Sequence, residues 1–329
     1  MINLRTWLLF ALLALLAGAA WLYYFANTTL LLPESPFRFT LKPGSTIKAV
    51  ARQLTERELL SHSWSFAMLA RILEKSGQIK AGDYELKENP TPLQLLALFG
   101  KGQQIDQVAI QFIEGQTFVD MRAVLNGHSA LKHDSQELTE AEILRKFGSN
   151  QTKAEGLFFP DTYLVIPGTS DLKLLERSYV AMEKNLASEW DKRAPDLPYM
   201  APYQALIMAS IIEKETGQAA ERPLIASVFI NRLKKHMLLQ TDPTVIYGIG
   251  PSFNGNLRKG DLQRDTPYNT YTRAGLPPTP IAMPGLAAVR AALNPEESSV
   301  LYFVAKGDGT HEFSANLTAH NRAVSRYQR

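Results

Sequence analysis

Glu213 and Glu215 close an apolar run, Leu206 to Ile212, in the stretch Ala209-Ser-Ile-Ile-Glu-Lys-Glu-Thr216. Carboxylates at the end of a greasy helix are costly unless they are paired, exposed or useful. Residues two apart on a helix point about 200° away from each other, so the two acids cannot share a face. The helical neighbours of Glu213 are Ala209, Ser210, Thr216 and Gly217, all small, which would leave an open floor for a bulky ligand. Glu215 sits above Ile211 and Ile212, where apolar contacts dominate. A carboxyl beside a cleft and backed by an apolar helix has a raised pKa, which suits a general acid. The bland alternative is that Glu213 pairs with an Arg or Lys across a helix contact. Small neighbours favour Glu213 as the acid, with Glu215 as a possible accessory.

Downstream segments supply what a sugar chain needs, namely hydrogen-bond partners for hydroxyls and flat faces for ring C–H surfaces. They are Leu239-Gln-Thr-Asp-Pro-Thr-Val-Ile-Tyr-Gly248, Pro267-Tyr-Asn-Thr-Tyr271 and Gly275-Leu-Pro-Pro-Thr-Pro280. Gln240, Asp242, Asn269 and Tyr271 are the candidates for holding a glycan. The alternative is an irregular loop layer whose polar residues satisfy their own turns. The six histidines are scattered without H-E-x-x-H or other zinc spacing, and no Ser–His elbow occurs, so neither metal nor cofactor is expected.

These residues need elements to position them. Tyr203 to Thr216 reads as a helix apolar on nearly every side, hence central and buried, ended by Gly217. Leu172 to Leu186 is amphipathic. Glu221-Arg222-Pro223 starts a helix running to Lys235, and VLYFVAK and THEFS flank Gly307-Asp308-Gly309 as a hairpin, with a closing helix from Asn316. Upstream, FTLKPGSTIKAVARQL from Phe39 reads strand, turn, helix. A second helix follows near Trp64 to Lys75, then a strand-like IKAGDYELK and a helix from Thr91-Pro92 to Gly100. Ile113 to Leu125 lines up with Lys42 to Leu54, Gly44 matching Gly115 and Thr46 matching Thr117. This opening resembles a LysM module, although glycine-turn-threonine-helix is also a common connection. Asn126 to Glu155 is polar, with a capping box at Thr139 and Glu142, and reads as an insertion or arm.

Trp7 to Ala26 carries no charge or strong breaker and would rise ~30 Å as a helix, a bilayer core's thickness. Arg5 precedes it, which points Met1 inward, and the apolar run past Ala17-Gly-Ala-Ala20 favours an uncleaved anchor over a signal peptide. The net charge of +3 and the lack of a dense basic block argue against nucleic acid, and with no cysteine there is no disulfide framework.

Together, Ala209–Thr216, Val228-Phe-Ile-Asn-Arg-Leu233, Leu239–Gly248, Tyr268-Asn-Thr-Tyr271 with Gly275-Leu-Pro-Pro278, and Leu301-Tyr-Phe-Val304 with His320-Asn321 resemble the MltG/YceG-like family. These are membrane-anchored endolytic murein transglycosylases of bacteria. The resemblance implies a catalytic glutamate at Glu213 and non-hydrolytic cleavage of MurNAc–GlcNAc β-1,4 bonds in peptidoglycan glycan strands, leaving 1,6-anhydroMurNAc ends. It also implies an inner-membrane, single-pass protein with its bulk in the periplasm, trimming or terminating nascent strands beside peptidoglycan synthases. The expected fold class is α+β: anchor and stub at 1–26, linker at 27–39, LysM-like α/β region at 40–125, polar arm at 126–155. A mainly helical catalytic domain with a small antiparallel sheet would fill 156–329. Two alternatives stay open: a lysozyme-like hydrolase with Asp242 as second carboxylate, and a non-catalytic peptidoglycan-binding scaffold.

Overall fold

The structure is a computed structural model that describes residues 4–102 and 107–328. The chain divides into two compact units, Met1–Asp106 and Gln107–Arg329.

The first unit opens with the helix Leu4–Asn27, in which Trp7–Asn27 is long and apolar enough to cross a membrane. Strand Phe37–Leu41 then pairs antiparallel with strand Gly82–Leu86. Between them run helices Ile47–Glu56 and Ser63–Ile72, and helix Pro92–Lys101 follows. Alternation in the first strand sends Phe37, Phe39 and Leu41 inward, where Phe39 stacks on Tyr84 and meets the edge of Phe99.

The second unit begins with the same order. Strand Val108–Gln111 pairs antiparallel with strand Thr162–Val165, and helices Phe118–Gly127 and Glu140–Lys146 lie between them in sequence. The two copies share their opening geometry. Gly44 and Gly115 have φ of 75° and 76°, and Thr46 and Thr117 each accept a hydrogen bond from the amide three residues on. The repeat is therefore longer than the sequence reveals. The polar segment 126–155, expected as an arm, supplies the second helix of the second copy.

That copy shares one core with the helical part. Ile110, Phe118, Met121, Ile143 and Leu144 belong to the same buried cluster as Ala205 to Ile212. The division into compact units accordingly falls at 106/107. Asp171, fully buried at the start of helix Asp171–Asp191, ties the segment down. Its carboxylate accepts from the Ser135 amide at 2.9 Å and the Ser135 hydroxyl at 2.6 Å.

At the centre lies helix Pro202–Glu215, buried on every side from Ala205 to Ile212. Helix Leu286–Leu293 and the segment before it cover one flank, and helix Arg222–Lys234 covers another. The hairpin of Tyr302–Ala305 and His311–Ser314 and the helix Leu317–Tyr327 complete the unit. Gly156 (φ +77°) lets the covering segment close, since a Cβ there would lie 2.4 Å from Pro280 Cβ.

Asp171→Ala would leave the Ser135 donors unpaired in the core and should lower the unfolding free energy by about 2–4 kcal/mol, read by denaturant titration. Gly156→Ala should destabilise by at least about 2 kcal/mol, through positive φ and the clash with Pro280 together.

Candidate active site

The central helix ends at Glu215, and Thr216 turns into extended backbone (φ −147°, ψ 135°), which leaves the last side chain at the mouth of a cleft. The cleft encloses about 530 Å³ and is lined by Glu215, Gln240, Asp242 and Tyr271 together with Arg232, Tyr302, His311, His320 and Asn321. The Thr241 hydroxyl donates to Glu215 Oε1. Burial pushes the Glu215 pKa up to about 7; the Thr241 bond and His311 oppose this, and the Asp242 charge adds to it.

The cleft walls hang on the helix Arg222–Lys234. Arg232 donates through Nε to Leu301 O at 2.7 Å, and through Nη1 to Leu239 O at 3.0 Å and Gln240 Oε1 at 3.3 Å. Its guanidinium also lies over the Tyr302 ring, 5.0 Å from the centroid. One residue before it, Asn231 Nδ2 donates to Ser298 O and Val300 O at 2.9 and 3.0 Å, which seats the strand that follows. Gln240 has φ +51°, a left-handed backbone unusual for a non-glycine residue, and its amide donates to Thr270 O at 3.1 Å. Asp242 opens helix Asp242–Ile249, and Tyr271 donates its hydroxyl to Asp242 Oδ1. Burial and the neighbouring carboxylates raise the Tyr271 pKa, so the phenol keeps its proton.

Across from them, Glu221 holds His311 at two points. Its carboxylate accepts from the His311 amide at 2.9 Å and contacts Nδ1 at 2.7 Å. This grip fixes the ring and commits Nδ1 to Glu221. His311, Tyr302, His320 and Asn321 have no role in the sequence reading, although all four stand inside segments quoted there. His311 escaped because its partner, Glu221, lies 90 residues earlier in the chain.

Glu213 is placed elsewhere. Its Oε2 accepts from the Gly285 amide at 2.8 Å, and Oε1 faces Arg222 Nη2 at 3.5 Å with only 6% of the side chain exposed. Burial raises its pKa while Gly285 and Arg222 oppose the rise. The small face expected to form an open floor is instead occupied by protein. Ser210 Oγ accepts from the Ile281 amide at 3.0 Å, and the segment up to Gly285 lies along it. Small residues admitted a close backbone approach, and the ion-pair alternative describes Glu213. Asn269, the other displaced candidate, is 1% exposed. Its Nδ2 donates to the carbonyls of Asp261, Leu262 and Arg264, and its Oδ1 accepts from the Tyr271 amide. It shapes the loop and has no free edge for a glycan.

The cleft thus holds one carboxyl protonated near neutral pH, a second carboxylate capped by a phenol, an amide and an oriented imidazole. That set can protonate a leaving oxygen and hold hydroxyls around it. Among the described residues no group of three or more His, Asp or Glu gathers as a metal site.

Glu215 holds its proton more tightly folded (about 7) than unfolded (about 4.3), so its contribution to stability falls as pH rises through that window. Glu215→Gln removes this penalty. The variant should melt higher than the parent at about pH 8, by on the order of 1–3 kcal/mol, and near the parent at about pH 5. Glu213→Ala strands the Arg222 guanidinium and the Gly285 amide, and should lose about 2–4 kcal/mol at both pH values in the same melts.

Comparison with known proteins gives a consistent picture. The sequence profile of the YceG-like family matches residues 39–326. An endolytic murein transglycosylase of Bacillus subtilis (strain 168) is 32% identical over 340 residues, covering 95% of this chain and 91% of that protein. One from Streptococcus pneumoniae (serotype 2, strain D39) is 28% identical over 319 residues, 86% of this chain and 57% of that longer protein. Among solved structures, a yceG-like protein from Listeria monocytogenes superposes with a TM-score of 0.56 at 29% identity, covering 88% of this chain and 98% of that one. The matched span runs from the first paired strand almost to the end of the last helix, and on that ground the chain belongs to the YceG-like family.

Proposed function

We propose that this chain is an endolytic murein transglycosylase whose acid and base is Glu215. The relatives named for that activity support the reaction class. The observation that carries the residue is the cleft itself: Glu215, its pKa raised to about 7, stands there with Gln240, Asp242 and Tyr271, while Glu213 is engaged by Arg222 and Gly285.

In the reaction, Glu215 gives its proton to the glycosidic oxygen as the C1–O bond of MurNAc breaks. The C6 hydroxyl of the same sugar attacks C1, and the Glu215 carboxylate takes the hydroxyl proton. A 1,6-anhydro ring forms, no water is consumed, and the acid is restored. The nucleophile is tethered to the ring it attacks, so proximity replaces the second carboxylate that hydrolytic glycosidases need. Gln240, Asp242 with the Tyr271 hydroxyl, and His311 oriented by Glu221 hold the sugar's hydroxyls and its N-acetyl group.

The apolar helix Trp7–Asn27 supports a single-pass inner-membrane anchor with the bulk of the chain in the periplasm, where new glycan emerges beside its synthases. The strand–helix–helix–strand copies support a reading as LysM-like modules.

The test is mass spectrometry of products from peptidoglycan glycan strands. Internal fragments with 1,6-anhydroMurNAc ends are expected from the parent and from the folded fraction of Glu213→Ala, with at least about a 10²-fold loss for Glu215→Gln. Reducing ends would move the case to hydrolysis with Asp242 as second carboxylate, and turnover surviving in Glu215→Gln would remove Glu215 from its role. Because the acid must begin protonated, kcat/KM should fall above about pH 7, by about tenfold per pH unit once the group is ionised.

A further inference from the structure

The outer end of the apolar helix is already in use. Ala26 is 6% exposed, and Leu22 and Phe25 pack on the core of the first unit. On that side, the helix left for lipid runs from Trp7 to Trp21, a rise of about 22 Å against a hydrocarbon core of about 30 Å. Such a mismatch is relieved when neighbouring apolar surface enters the interface or the bilayer thins.

Apolar surface is present at that place. Trp64, Met68 and Ile72 are 58%, 43% and 55% exposed, and their spacing of four puts them in one stripe along helix Ser63–Ile72. The Trp64 ring stacks on Trp21, 5.3 Å between centroids and 9° between planes, so the stripe begins at the outer aromatic end of the span. Aromatic side chains gather at that depth of a membrane. Beside the stripe, a groove of about 470 Å³ is lined by Trp64, Met68, Lys48, Arg52 and Arg71, and no carboxylate joins them. An apolar stripe edged by cations is the pattern of an interfacial, anionic-lipid-binding surface.

We propose that this face of the first unit is a membrane-binding surface. Trp64, Met68 and Ile72 enter the headgroup region of the bilayer that the apolar helix crosses, and Lys48, Arg52 and Arg71 hold the phosphates of anionic lipids. The proposal rests on the reading of Trp7–Asn27 as a membrane anchor, and it concerns how the first unit is seated once anchored.

The chain has no cysteine, so single cysteines can carry a nitroxide without background. The full chain would be reconstituted in vesicles of phosphatidylethanolamine and phosphatidylglycerol, labelled in separate variants Leu13→Cys, Met68→Cys, Ile72→Cys and Lys87→Cys. Collision with oxygen, which concentrates in lipid, is compared with collision with a water-soluble nickel chelate. The oxygen-to-nickel ratio is expected to be highest at 13, several-fold above the Lys87 value at 68 and 72, and water-like at 87. A high ratio at 13 with water-like values at 68 and 72 overturns the surface while leaving the anchor intact. A water-like value at 13 overturns the anchor, and the surface with it. Labels at 68 and 72 shielded from both reagents mean a protein occupant, such as a second copy, and also overturn the proposal. In the second arm, Lys48→Glu/Arg52→Glu/Arg71→Glu, or replacing phosphatidylglycerol by phosphatidylcholine, should lower the ratio at 68 several-fold. An unchanged ratio there overturns the role of the cations.

Discussion

The burial of Ala205 to Ile212 on every side is the constraint from which the second unit is built. A helix with no solvent face must be enclosed, and the enclosing parts come from distant stretches: the Pro280–Leu293 region, the Arg222–Lys234 helix and the second strand–helix–helix–strand copy. Nothing charged fits along such a helix, so its acids stand at the C-terminal end. There the helical repeat separates them. Glu213 turns to the flank closed by Gly285, and Glu215 turns to the flank left open beside Thr241 and Asp242. Both carboxyls are raised by burial, yet their partners assign them different work. Arg222 and a backbone amide engage Glu213. Burial and the nearby Asp242 charge raise the Glu215 pKa against the Thr241 hydrogen bond, beside an open cleft.

Much of this was legible in the residues. The all-apolar helix, the hairpin around Gly307-Asp308-Gly309, the capping box at Thr139 and Glu142 and the matched turns at Gly44 and Gly115 rest on local rules of periodicity and capping. Local rules also predict that Glu213 and Glu215 face apart. What they omit is which face stays open. Ala209, Ser210 and Gly217 mark a surface that something approaches closely, and the pattern is the same whether the visitor is a sugar or residues 281–285 of the same chain. The apolar backing under Glu215 is a signal of another kind, because desolvation raises a carboxyl pKa whatever lies opposite.

The second copy of the repeat shows the same limit. Its opening turn is plain in the sequence, but its closing strand, Thr162–Val165, comes after a polar stretch that resembles a linker. Polarity there reflects a short helix with one wet face, Glu140–Lys146, whose Ile143 and Leu144 are fully buried. Two inward residues are too few to give a hydrophobic period, so the core they enter appears only in three dimensions. Asn269 illustrates a related limit. An amide flanked by aromatics fits sugar recognition and loop capping equally well, and three carbonyls within reach made it a cap.

Arg232 carries one more consequence. The same guanidinium joins the loop at Leu239 and Gln240 to the strand that begins at Tyr302, so opposite banks of the cleft are spaced by a planar group of fixed size. A channel braced in this way has a set gauge. The gap between the banks is therefore set by the protein alone, before anything enters the cleft.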